Sequence, residues 1–223
     1  MPAYFHLDMM FTRKRLKPGF IKDIYQQFIN ASFDFIGGLR REQYKGIRYE
    51  TTIEEISNWN QSHLEERVIS DFPDEKNIYD GDYGYKDECR QIFFKMEGYS
   101  ELRGYWNDYN NHLRFCLIVP EDDVLFIEKG VRYIQNKLMP FINISKNLWE
   151  CGKVDLVQTH LQEDDFYGFS QILKGENISV RPFAVLPESA YKIFPKDYFA
   201  KMQTLKLTNN GIYIEQTDSM VCK

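Results

Sequence analysis

The chain has 223 residues, with 33 Asp and Glu against 28 Lys and Arg, for a net charge of −5. That balance argues against a surface that grips nucleic acid without specificity. At 43% hydrophobic and 27% charged, with no apolar run of about 18 residues, the composition fits a globular chain and neither a disordered nor a membrane-spanning one. No basic region followed by an apolar stretch and a small-residue cleavage site opens the sequence, so a cytosolic protein without a membrane partner is expected.

Residues 4–11 alternate and predict a first strand. The basic run Arg13-Lys14-Arg15-Leu16-Lys17 follows, and then Pro18 in the first turn of a helix with Phe20, Ile21, Ile24, Tyr25 and Phe28 on one face. Residues 33–36 read as a short apolar segment broken by Gly37-Gly38, with a polar loop and a strand over 47–50 behind it. Thr52 and Glu55 form a capping-box pattern ahead of a helix whose expected buried face is Ile53, Ile56, Trp59 and His63 or Leu64. Residues 70–87 are polar and read as a long loop. Residues 88–96, 101–107 and 113–119 then predict an antiparallel meander with turn-rich connections.

After the near-continuous apolar run 113–119, Pro120 and Glu121-Asp122-Asp123 open a second pattern. Val124, Ile127, Val131, Ile134 and Leu138 recur at helical spacing and predict one helix, ended or kinked at Pro140. Residues 143–175 are irregular, with a strand expected over 154–159 and a short helix over 167–173. Residues 179–186 read as a strand placed at an edge or carrying a bulge because of Pro182. Residues 204–215 predict a hairpin around Asn209-Asn210-Gly211. A two-residue loop there places Leu205, Leu207, Ile212 and Ile214 on one face. A weak internal echo joins Ile118-Val119-Pro120-Glu121 to Val185-Leu186-Pro187-Glu188.

These elements predict an α+β fold: a mixed, largely antiparallel sheet with helices mainly on one face. One domain over 1–223 is expected, with residues 150–223 as an alternative smaller C-terminal subdomain.

The chemistry-bearing residues give no established motif. Cys89, Cys116, Cys151 and Cys222 are scattered without a CxxC, so neither a metal site nor a disulfide framework is expected, and no cofactor is implied. The strand–Pro–helix unit at 113–138 resembles the cofactor-binding element of acyl-CoA acetyltransferases. The Gly-rich loop of that family is missing, and three carboxylates at the helix start would repel a phosphate. Asp80-Gly81-Asp82-Tyr83-Gly84 begins like a calcium loop but fails the ligand spacing beyond Asp82. Arg13, Lys14, Arg15 and Lys17 are a candidate anion site, with a solvated loop as the plainer reading.

Two function classes follow. The first is a non-catalytic, cytosolic protein-binding protein, in character like a toxin-immunity or antitoxin protein. It would act through an acidic, tyrosine-rich surface of Asp80, Asp82, Tyr83, Tyr85 and Tyr109 on a basic partner. The second is an enzyme, acyltransferase-like or a hydrolase, with His6, Asp8, His112 or His160 in its site. His6 and Asp8 lie two apart on the first strand and face the same way.

Overall fold

The computed structural model describes residues 3–42, 46–66, 91–109, 111–126 and 132–216. In chain order the elements are β1 (Tyr4–Thr12), α1 (Phe20–Asn30), β2 (Asp34–Glu42), β3 (Gly46–Glu50), α2 (Ile53–Glu66), β4 (Gln91–Lys95), β5 (Leu102–Asp108) and β6 (His112–Pro120). The chain continues with α3 (Glu121–Val124), β7 (Leu125–Phe126), β8 (Arg132–Tyr133), α4 (Gln135–Glu150), β9 (Leu156–Leu161), α5 (Phe169–Leu173), β10 (Phe183–Pro187), α6 (Glu188–Tyr191), β11 (Met202–Leu207) and β12 (Gly211–Gln216).

Ten strands form one sheet in the order β11-β12-β10-β9-β1-β6-β5-β4-β2-β3, and β7 and β8 pair separately. Every ladder between these strands is antiparallel. One face carries α1, α2 and α4, which bury Phe28, Ile56 and Phe141 with the inward residues Phe5, Leu7, Met9 and Phe11 of β1. The other face is covered over β9, β10 and β12 by the short α5 and α6, on Met10, Leu156, Ala184, Leu186, Ile212 and Ile214. The expected α+β class is therefore the observed one. β1 lies near the middle, paired with β6 on one side and β9 on the other. Both of its faces are covered at the centre, which is why its alternation is only loose in sequence.

The capping pattern ahead of α2 is formed: the Glu55 amide donates to Thr52 Oγ1 at 3.2 Å, and that hydroxyl donates to the Glu55 carboxylate at 2.6 Å. Gly37-Gly38 does not break the chain. β2 runs through it with a register shift between Phe35 and Gly37. A Cβ on Gly38 would lie 2.5 Å from the Ile56 side chain, so this glycine lets α2 pack against the sheet.

The single helix expected over 121–138 is replaced by four elements, α3, β7, β8 and the start of α4. α3 is one turn, Asp123 turns outward to accept hydrogen bonds from the Ser100 amide and hydroxyl at 2.8 Å each, and Leu125 pairs with Tyr133. Val124, Leu125, Tyr133 and Leu138 all enter the main core. Their spacing therefore records burial rather than a continuous helix; Ile127 and Val131 lie outside the described residues. Helix α4 instead runs through Pro140 to Glu150, held by buried Phe141, Ile142, Ile144, Leu148 and Trp149.

The strand over 179–186 starts only at Phe183 and is no edge, since β10 lies between β9 and β12. The echo is local but real. Pro120 and Pro187 both end a strand in extended backbone and start a four-residue helical turn. The C-terminal hairpin differs from expectation in parity. Leu207 pairs with Gly211 across the three residues Thr208, Asn209 and Asn210, both asparagines having φ 53°. An odd loop moves Ile212 and Ile214 to the face opposite Leu205 and Leu207.

Candidate functional site

Strand register assembles a polar cluster on the face of the sheet away from the long helices. His6 is directly across from His160 on β9, and Asp8 is across from Cys116 on β6 and Gln158 on β9. Cys116 is in turn across from Tyr105 on β5, while Arg114 is across from Asn107. Side chains two apart on a strand share a face, so His6, Asp8, Arg114, Cys116, Tyr105 and His160 meet. Three of the residues expected for an enzyme, His6, Asp8 and His160, are thus brought together. His112 lies on the same face further along β6, packed against Tyr109 and Phe169 with ring centroids 4.5 and 5.2 Å away.

The geometry assigns protons. His160 Nε2 lies 3.0 Å from the Asp8 carboxylate and its Nδ1 lies 3.0 Å from the Leu161 carbonyl. Both partners are acceptors, an arrangement that suits the imidazolium form, in which both ring nitrogens donate. Burial opposes that charge, but the Asp8 hydrogen bond and charge outweigh it and raise the pKa. Asp8 is fully buried; burial favours its neutral form, yet Arg114, 3.8 Å away, and then His160 hold it ionised well below the carboxylate range.

His6 stacks on His160 at 4.5 Å, and its pKa falls to about 4 through burial and the neighbouring imidazolium. The Cys116 sulfur lies 3.5 Å from His6 Nδ1, but burial pushes the thiol well up. Burial likewise raises the Tyr105 hydroxyl. Arg114 holds Asn107 Oδ1 at 3.1 and 3.4 Å, and its guanidinium faces the Phe166 ring at 4.5 Å.

With His160 protonated, the described residues of this cluster carry two positive charges, on Arg114 and His160, and one negative charge, on Asp8. Among the described residues, Asp8 is the carboxylate paired with both cations. Two buried atoms there, His6 Nε2 and Asp8 Oδ1, also have no hydrogen-bond partner among the described residues. The cluster is not sealed: 14% of the Arg114 side chain is exposed, and His6, Asn107, Tyr109 and Phe166 around it are half-buried.

No family model, curated protein or solved structure matches the chain.

Of the acidic, tyrosine-rich surface, Asp80, Asp82, Tyr83 and Tyr85 lie outside the described residues. Tyr109 lies at the rim of the polar cluster, 6.0 Å from the Arg114 guanidinium carbon. In the basic loop, Arg13 binds Asp108 and the Leu64 and Tyr109 carbonyls, and Arg15 forms a two-point pair with Asp155. These two guanidiniums brace the loop to β5, to α2 and to Asp155, the residue just before β9. Arg15 and Asp155 also line a cleft of about 730 Å³ with Trp149, Glu188, Lys192 and Asn210, where Lys192 pairs with Glu188.

Among the described residues, no group of three or more His, Cys, Asp and Glu is placed to hold a metal ion. None of their helices is long and apolar enough to cross a membrane.

Arg114, Cys116 and Tyr105 are the members that sequence reading misses. The available signal is Arg114 itself, a charge inside a run otherwise apolar on both faces.

Proposed function

We propose that the chain is a non-catalytic binding protein whose cluster around Arg114, His6 and His160 recognises an anionic group, a carboxylate or a phosphate, on its ligand. The observation that carries this is the positive charge left uncompensated among the described residues, where Arg114 and a protonated His160 share one buried carboxylate, Asp8. A buried net charge is costly, and an anion at the rim would offset it. Arg114 and His6 Nε2, which has no hydrogen-bond partner among the described residues, supply hydrogen-bonding capacity.

The protonation pattern favours recognition over catalysis. An acid–base catalyst works best with a group whose pKa is near the working pH. Here His6 is held neutral down to about pH 4, the Cys116 thiol is held protonated, and both His160 protons are engaged. The polarity is opposite to that of the acidic surface expected from sequence. An acidic group on a partner suits this cluster better than a basic one.

Titration with inorganic phosphate and with acetate, against chloride at constant ionic strength, tests the reading. One anion should raise Tm by at least about 3 °C near saturation and shift the His6 ring signals in NMR, and Arg114→Lys should weaken it about tenfold or more. Unchanged Tm and unchanged His6 signals would remove the proposal. So would a large destabilisation by Asp80→Asn or Asp82→Asn with no added anion bound, because the countercharge would then belong to the chain itself.

A further inference from the structure

The core face of the sheet carries a row of side chains that runs strand by strand from Trp106 through Phe115, Met9, Val157, Val185 and Tyr213 to Leu205. All but the last are buried in the main core. Leu205, on the edge strand β11, is 53% exposed. Around it Gln203, Thr204 and Lys206 are exposed as well. Among the described residues β11 is paired on one side only, and it contains neither proline nor glycine. Edge strands with free amides and carbonyls recruit further strands unless something blocks them, and an outward lysine is a common block. Lys206 is the sole lysine of β11, and its Nζ lies 3.4 Å from the Glu188 carboxylate, which counters its charge.

We propose that β11 pairs antiparallel with β11 of a second copy of this chain, joining two ten-stranded sheets edge to edge around a two-fold axis at Leu205. The strand is self-complementary in this register. Leu205 meets Leu205 of the other copy on the core face, which continues the apolar row across the junction. On the opposite face Thr204 meets Lys206, and Lys206 meets Thr204, so no like charges are opposed. Gln203 meets Leu207. A two-fold axis perpendicular to the sheet keeps the long helices of both copies on the same side, so the row extends from one core to the other. The surface uses none of the residues of the polar cluster and stands or falls independently of the anion-binding proposal.

Sedimentation equilibrium of the full chain from about 1 to 100 μM is the test. Wild type should move towards twice the monomer mass. Leu205→Lys and Leu205→Glu should each stay monomeric, because each opposes like charges across the two-fold axis. An equimolar mixture of the two variants should recover the dimer by pairing lysine with glutamate. Circular dichroism of both variants should match wild type, and so should Tm at dilutions where wild type is monomeric, as Leu205 is half exposed. A wild type that stays monomeric over the whole range overturns the proposal. A Leu205→Lys chain that still dimerises overturns it too, by placing the interface elsewhere.

Discussion

The two faces of β1 obey different rules. Phe5, Leu7, Met9 and Phe11 pack into the helical layer, where neighbours contribute area and shape. His6 and Asp8, on the reverse of the same strand, are held by charge and directed hydrogen bonds, and the surroundings become apolar again only at Met10. A packed face tolerates an error in proportion to the volume lost. A charged, buried face tolerates the loss of one partner poorly, because the remaining charge cannot return to water.

Breaking one partner of the ion cluster should give the largest effect. Asp8→Ala leaves Arg114 and His160 without their shared carboxylate and is expected to cost about 3–5 kcal/mol. Urea unfolding at neutral pH measures this, with Met9→Ala as the control from the packed face at about 2–5 kcal/mol. The two variants should separate in pH dependence, since only the first removes an ionised group.

pH sharpens the contrast next. His6 and His112 are each held near pKa 4 by burial, followed by the charge of His160 for His6 and of Arg114 for His112. Unfolding frees them to titrate near 6.5. Between those values the unfolded chain binds more protons, so stability falls as pH drops through this window, by roughly 2–3 kcal/mol per histidine. His160 acts in the opposite sense: its folded pKa is raised, so its contribution is complete below about pH 6.5 and is lost as pH rises through the folded value. Stability against pH should therefore be a dome. His6→Phe should flatten its acid limb; an unchanged limb would show that His6 is not held neutral.

The smallest expected effect is purely local. Thr52→Ala removes the cap of α2 and should cost about 1 kcal/mol at any pH between 5 and 8. A loss above about 2 kcal/mol would mean that Thr52 does more than cap.

What can be read from sequence follows the same division. A loose alternation places β1, a near-continuous apolar run places β6, the turn-rich stretches on either side place β5, and Thr52 with Glu55 suffices to start α2, because these signals are local. The stretch after Pro120 misleads because a turn, a short strand pair and a helix all feed one core at near-helical spacing. The hairpin misleads by one loop residue. In the polar cluster, strand alternation alone puts His6 and Asp8 together. Their meeting with His160, which lies 152 residues away from Asp8, depends on β9 choosing β1 as its neighbour. No local pattern encodes that choice.

The hairpin loop has one more consequence. The Trp149 indole N–H donates to the Thr208 carbonyl at 3.0 Å, and the Asn209 amide donates to the Glu150 carbonyl at 2.7 Å. Gly211 sits so close beneath the indole that a Cβ there would lie 2.1 Å from Trp149 Nε1. The last turn of α4 thus clasps the tip of a hairpin that would otherwise end the sheet as a fraying flap. The clasp makes β11 and β12 part of the same cooperative unit as α4, so opening the C-terminal hairpin also means releasing a helix rooted in the main core.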